Sequence, residues 1–300
     1  YANLRKAIGN LHNVHPEMII PGNGASELFT WAAKDALSCG LSSIPAPGFA
    51  DYSRALKCWE ASFFYTKVPI RYKENKARNF HIKKKADVLW INNPHNPTGM
   101  LWNRESIESL LKKFQLVICD EAFLPLVPFG EKQSLIPLVE KNPNLIVIRS
   151  LTKLFAIPGL RLGYAIANSK RIYRWKKWRD PWPVNAIAAN TGALILKDQE
   201  NINLWEKEVH TWISIEGQKI YKQLNKIKKI TPYPSSTNYF LIEGVESLQK
   251  MREKLYEKKI LVRDCKTFLY LGENWLRISL QTPTNNARII KEINQYLTEP

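Results

Sequence analysis

Short apolar runs alternate with segments of helical periodicity over the first two hundred residues. That alternation restricts the fold more than any other feature of the chain. The runs cover residues 41–45, 61–65, 87–91, 116–121, 145–148 and 162–167. Helical spacing marks 1–12, 51–59, 105–114 and 186–196. A continuous apolar run of this length suits a strand covered on both faces. Strands separated by helices form a mostly parallel, doubly wound sheet, so the expected class is α/β. A long amphipathic stretch at 203–230 carries Trp205, Val209, Trp212, Ile213, Ile220, Leu224 and Ile227 on one stripe. It is expected to bridge from a large domain at 1–204 to a smaller C-terminal α/β domain at 205–300. That second unit should contain strands at 237–242, 260–263 and 275–280 and helices at 245–256 and 285–297. Residues 232–237 read as a turn-rich joint, and no internal repeat is found.

Composition narrows the function classes. Of 300 residues, 45% are hydrophobic and ten are Trp, enough for a sizeable core. No run of about 18 apolar residues exists, so no membrane span is expected. Nothing at the start resembles a signal peptide, and a cytoplasmic protein is expected. The chain opens at Tyr1, already inside a predicted helix, so its natural beginning is expected to lie upstream. Cys39, Cys58, Cys119 and Cys265 are scattered without a C-x-x-C pair. That pattern fits a reducing compartment, no structural metal and four small buried hydrophobes. The formal charge of +17 raises nucleic-acid binding. The lysines are spread out, however, with only short clusters such as Lys83-Lys84-Lys85, and no nucleic-acid motif accompanies them. A lysine-rich surface is the preferred reading, and its field would also attract a phosphorylated metabolite.

Chemistry-bearing residues gather where the runs end. Arg149-Ser-Leu-Thr-Lys-Leu-Phe-Ala-Ile-Pro-Gly-Leu-Arg-Leu-Gly-Tyr164 follows one apolar run and ends in the next. It sets Lys153 just past a strand, with Ser150 and Thr152 beside it and Arg161 eight positions on. A Schiff-base lysine needs a rigid perch and partial desolvation. A phosphate needs hydroxyls, backbone N–H groups and a forked cation. The 116–121 run ends in Asp120-Glu121, where one carboxylate could stay ionised against a cation. The 87–91 run enters Asn92-Asn-Pro-His-Asn-Pro-Thr-Gly99, a rigid loop that holds Asn96 between Pro94 and Pro97. His95 is taken as part of the loop's own structure. Gly22-Asn-Gly-Ala-Ser-Glu27 opens a helix whose free N–H groups suit an anion. Phe49 follows Pro47-Gly48, where its ring could stack on a flat group. Each motif also has a plain reading, as a surface lysine, a capped turn or a core aromatic.

Taken in order, these segments resemble the fold-type I pyridoxal-phosphate enzymes of the class I/II aminotransferase family. The resemblance spans nearly the whole chain and implies an aminotransferase-like fold. It implies that Lys153 holds pyridoxal 5'-phosphate, that Asp120 pairs with the ring nitrogen, and that Asn96 bonds the ring hydroxyl. Phe49 would stack on the ring. Ala25, Ser26, Ser150, Thr152 and Arg161 would hold the cofactor phosphate. Arg277, in Trp-Leu-Arg-Ile-Ser, would grip the substrate carboxylate, with Asn96 and Arg263 also facing the substrate. Within the family the chain looks most similar to the L-threonine-O-3-phosphate decarboxylases of cobalamin biosynthesis. Its carriers include Asp120-Glu-Ala-Phe123, Pro181-Trp-Pro-Val-Asn-Ala186 and Val262-Arg-Asp-Cys265. The sibling histidinol-phosphate aminotransferases usually carry tyrosine where Phe123 stands. The implied partners are a small phosphorylated amino-acid substrate and a second copy of the chain, with no nucleic acid and no membrane. An N-terminal arm found in the family is expected to be missing here. Transamination stays open as an alternative activity, and an inactive basic nucleic-acid binder as a remoter one.

Overall fold

The computed structural model describes residues 1–82 and 85–298. Lys83 and Lys84 of the basic cluster lie outside the described residues. The chain opens with α1 (Ala2–His12), β1 (Ile19–Asn23), α2 (Gly24–Cys39) and β2 (Ser42–Ala46). Then come α3 (Asp51–Lys57), β3 (Phe63–Lys67), β4 (Val88–Asn92), α4 (Arg104–Leu111), β5 (Leu116–Asp120) and β6 (Leu145–Ser150). A single turn, α5 (Leu151–Leu154), leads to β7 (Leu162–Ala167), α6 (Ser169–Trp178) and α7 (Ala186–Lys197). The seven strands form one sheet in the order β1-β7-β6-β5-β4-β2-β3. Only β7 runs against its neighbours, as an antiparallel partner to β1 and β6. The mostly parallel sheet expected from the alternation is present.

The apolar runs are continuous because both faces of this sheet are buried. Successive side chains of a strand point to opposite faces. Leu89, Ile91, Val117, Cys119, Leu145 and Val147 pack on one side with α1 and α7 residues such as Leu4, Ile8 and Ala188. Val88, Trp90, Leu116, Ile118, Ile146 and Ile148 pack on the other with Leu28, Ala32 and Ala36 of α2. Ile148 is fully buried; cutting it back to alanine should cost about 2–5 kcal/mol. Leu37, near the end of α2, points to solvent. Of the cysteines, Cys119 and Cys265 are buried, Cys39 is half-buried and Cys58 is exposed. Cys58 corrects the expectation of four buried thiols, because it caps the last turn of α3 and leaves that helix's packed face.

The second layer begins with α8 (Gln199–Leu224), shorter than the periodicity suggests. Its apolar stripe runs on through Ile227 into β8 (Ile230–Pro232), a strand the sequence reading treated as helix and joint. Apolar spacing by itself does not separate a helix's last turn from a short strand that packs on the same core. Next are β9 (Tyr239–Gly244), α9 (Gln249–Glu257), β10 (Arg263–Asp264), β11 (Trp275–Ser279) and α10 (Pro283–Thr298). The four strands are antiparallel in the order β10-β11-β9-β8. The 260–263 strand shrinks to Arg263–Asp264, because Lys259 takes a left-handed φ of 60° and Leu261 is exposed. Helix α8 joins both cores: Ile202 packs with the large sheet, whereas Val209, Ile213, Ile220 and Leu224 pack against the small one. The carboxyl ends of β4, β5 and β6 lie side by side, with Asn92 opposite Asp120 and Asp120 opposite Ile148. That edge is where ligands bind in open parallel sheets.

Candidate active site

Asp120 is the last residue of β5 and is only 5% exposed. Two donors hold its carboxylate. The Ala122 N–H donates to Oδ1 at 2.9 Å, and the hydroxyl of Tyr52, from α3, donates to Oδ2. Burial raises the Asp120 pKa to about 6, opposed by Tyr52, by the Ala122 N–H and by the charge of Lys153. The group is thus ionised at neutral pH and accepts from few partners, so a cation or N–H in front of it would be strongly attracted.

Lys153 comes from α5, the turn begun directly after β6. Ser150 caps that turn by accepting from the Thr152 N–H at 3.3 Å, and the Ser150 and Thr152 hydroxyls lie 2.8 Å apart. The lysine Nζ stands 5.2 Å from the centre of the Phe123 ring. It keeps contact with solvent through the cavity, yet its pKa is lowered. Desolvation is the main cause, Arg277 and Arg161 add to it, and Asp120 opposes it. A lysine so placed yields the free amine more readily than an exposed one.

Arg161 reaches the same cavity from the turn before β7, where its own φ is 53°. Its guanidinium closes on the start of α2. Gly24 has φ +72°, and a Cβ there would lie 2.5 Å from Arg161 Nη2. Glycine adopts this φ without strain, and a side chain here would push the guanidinium away from the first turn of α2. The N–H groups of that turn lack intrahelical acceptors, and the helix dipole adds positive potential. Arg161, Ser150, Thr152, Ala25 and Ser26 all line one cavity and together suit an anion.

The loop after β4 supplies the opposite wall. Asn92 Oδ1 accepts from the Asn96 N–H at 2.7 Å and fixes the loop's turn. His95 is buried with both ring nitrogens engaged, to Thr98 Oγ1 at 2.8 Å and to the Pro47 carbonyl at 2.9 Å. A carbonyl can only accept, so Nε2 carries the proton and Nδ1 accepts from Thr98. This joins the Asn96 loop to the turn that bears Phe49. Asn96 Oδ1 accepts from Arg277 Nη1 at 2.6 Å, across the gap between the two sheets. The Arg277 guanidinium also lies over the Tyr239 ring, 4.7 Å from its centre.

One cavity therefore collects Ala25, Ser26, Phe49, Asn96, Asp120, Ser150, Thr152, Lys153, Arg161 and Arg277. Arg263 is not among its lining residues. It sits on β10 opposite Arg277, exposed, and donates to Thr267 Oγ1 at 2.9 Å. Sequence reasoning passed over Phe29, Asn92 and Ala122, which also line the cavity, and Tyr52, which lies behind Asp120. A signal for Tyr52 existed: a tyrosine three residues after Phe49 in a helix otherwise apolar on that side needs a buried partner for its hydroxyl.

The residues fit pyridoxal 5'-phosphate on geometric grounds. A partly desolvated lysine, a buried ionised carboxylate and a cationic cradle at a helix start face one space, and a Cβ at Gly24 would close the cradle. A profile of the aminotransferase class I and II family matches residues 1–293. The threonine-phosphate decarboxylase of Salmonella typhimurium is 31% identical over 307 residues, covering 99% of this chain and 82% of that protein. The crystal structure of L-threonine-O-3-phosphate decarboxylase from Porphyromonas gingivalis superposes with a TM-score of 0.85 at 26% identity, covering 99% of this chain and 89% of that one. That of histidinol-phosphate aminotransferase from Clostridium acetobutylicum gives 0.87 at 26% identity, covering 98% and 88%. With the family match running almost end to end and the fold agreeing, the chain belongs to the aminotransferase class I and II family.

Proposed function

We propose that the protein is a pyridoxal-phosphate-dependent decarboxylase that converts L-threonine O-3-phosphate to 1-amino-2-propanol O-2-phosphate and carbon dioxide, a step of cobalamin biosynthesis. The observation that carries the chemistry is the convergence of Lys153, Asp120, Arg161 and Arg277 on one cavity. The substrate rests on the full-length similarity to threonine-phosphate decarboxylase. Pyridoxal phosphate supplies an electron sink for the pair released when the bond from Cα to the carboxylate breaks.

The chain's own groups do the rest. Lys153 would hold the cofactor through Nζ and is placed to supply the proton that Cα takes up when carbon dioxide leaves. Asp120, held by Tyr52 and the Ala122 N–H, pairs with the ring nitrogen. Asn96 keeps Oδ1 on Arg277 and offers its amide N–H to the ring oxygen. Phe49 covers one ring face. Arg161, Ser150, Thr152 and the N–H groups at Ala25 and Ser26 hold the cofactor phosphate. Arg277 would bind the substrate carboxylate and so orient the group that is to leave. Arg263, on the neighbouring strand, serves a substrate held further out. The protein acts as a cytoplasmic homodimer with a small-molecule partner, and light scattering at micromolar concentration tests the assembly.

Amino transfer is the second reading, favoured by the equally close superposition on histidinol-phosphate aminotransferase. Phe123 weighs against it, since its ring offers no hydroxyl to the cavity beside Lys153. Carbon dioxide release from L-threonine O-3-phosphate, with pyridoxal phosphate and no keto acid, decides between them. We expect release by the parent and loss of at least about a thousandfold in Lys153→Ala. Amino transfer from histidinol phosphate to 2-oxoglutarate, without carbon dioxide release, would replace the decarboxylase reading.

A further inference from the structure

Asp120 has a hydrogen-bond partner that no strand-tip motif contains. Tyr52 lies on α3, is only 1% exposed, and sends its hydroxyl to Asp120 Oδ2. Its ring is packed at 5.1 Å from Phe29, 5.4 Å from Trp90 and 5.7 Å from Phe49. The Phe49 and Tyr52 rings meet edge to face, at 83°. One side chain thus touches both the carboxylate at the floor of the cavity and the ring that forms its roof.

We propose that Tyr52 is a positioning residue that holds the Asp120 carboxylate ionised and aimed at the cofactor ring nitrogen, while it props Phe49 over the ring. This rests on the pyridoxal-phosphate reading above. The physical argument begins with cost. A buried carboxylate without donors takes up a proton rather than stay charged. Asp120 has two donors. The Ala122 N–H is covalently local and comes with the strand end. Tyr52 is the only side-chain donor to Asp120 among the described residues. A phenol buried beside a carboxylate keeps its own proton, because burial and the Asp120 charge both push its pKa well up. Its hydrogen bond therefore favours the ionised form of Asp120 without competing for the charge. The groups that face Asp120 are Tyr52 and Asp51 from α3, Lys153 from α5 and Tyr239 from β9. Lys153 favours the ionised carboxylate and Asp51 opposes it.

Tyr52→Phe removes one oxygen and leaves the packed ring. The bond removed is one made to a charged group, so the Asp120 titration should move up by about one to two pH units. Carboxyl 13C NMR of the protein without added cofactor, with Asp120→Asn to assign the signal, reads that shift directly. Pyridoxal phosphate should then bind about two- to tenfold more weakly at neutral pH, as the ionised fraction of Asp120 falls. The acid limb of kcat/KM should move to higher pH with the carboxyl signal. A merely structural tyrosine would lower stability and leave the Asp120 midpoint in place. An unchanged midpoint with unchanged cofactor affinity overturns the proposal. If the parent itself fails to bind pyridoxal phosphate, the cofactor reading fails instead. The carboxyl titration still decides whether Tyr52 holds Asp120 ionised.

Discussion

At the scale of single residues the site stores free energy against the stability of the fold. Asp120 has a pKa of about 6 where an ordinary aspartate has 3.8, chiefly because it is buried. A raised carboxylate pKa means the folded state binds the proton more tightly than the unfolded chain. Asp120 therefore adds no penalty below about pH 3.8, and it destabilises the fold increasingly as pH rises through about 6. Asp120→Asn, without added cofactor at pH 7.5, should gain about 1–2 kcal/mol of unfolding free energy, judged by urea titration. The same variant should lose carbon dioxide release. A variant less stable than the parent at pH 7.5 would show that burial is not the dominant influence on this group. The pattern is that of a polar group kept at a cost for its function.

Elements matter because strand ends, helix starts and loops all present parts of the site. Residues 92–99 fold back through Asn92 and His95, and His95 fastens them to Pro47 at the end of β2. Burial lowers the His95 pKa from 6.5 to about 4, although the Pro47 carbonyl favours the proton. A depressed histidine contributes its stability above about pH 6.5 and loses it as pH falls toward 4. His95→Asn should thus flatten the fall in unfolding free energy between pH 6.5 and 4, by as much as about 3 kcal/mol. Parallel slopes in the two proteins would remove His95 from that account. Much of this was open to sequence reasoning. The prolines and Gly99 announced a rigid loop, and His95 was read as part of its structure. The partner of His95 was not readable, since Pro47 is 48 residues away and belongs to another strand end. Likewise β8 was missed, because Ile227 and Ile230 continue an apolar spacing that α8 had already established.

Across the whole molecule the site is a seam between two sheets. Asn96 belongs to the loop after β4, Arg277 to β11, and their hydrogen bond spans 181 residues of chain. Tyr72 adds a second tie, its one hydroxyl proton shared between the carbonyls of Thr98 and Pro234, 2.8 and 2.7 Å away. The small sheet thus delivers one cation into a cavity otherwise built by the large one. Arg277→Lys keeps the charge but loses the planar fork that holds Asn96 and that, on the proposed function, would grip the substrate carboxylate. It should lower kcat/KM for L-threonine O-3-phosphate by about ten- to a hundredfold, mostly through KM, while cofactor affinity holds. Steady-state kinetics beside a cofactor titration checks this, and a normal KM would take Arg277 out of substrate binding.

The sequence alone determined the α/β class, the order of the strands' chemistry and the local frame of each motif. Ser150, Thr152 and Lys153 are tied to the end of β6 by covalent neighbourhood, and Asp120 to the end of β5, because strand length and hydrophobic burial are written in the run itself. Tertiary structure decided which ends meet. The parallel register set Asn92 beside Asp120, the fold of α3 put the Tyr52 hydroxyl on that carboxylate, and the small sheet swung Arg277 in while leaving Arg263 outside. The reason is physical. Periodicity encodes whether a face is buried, but the contact that buries it depends on the packing of the whole chain. Tyr52 was therefore passed over, and Arg263 was assigned by resemblance alone, until the fold placed them.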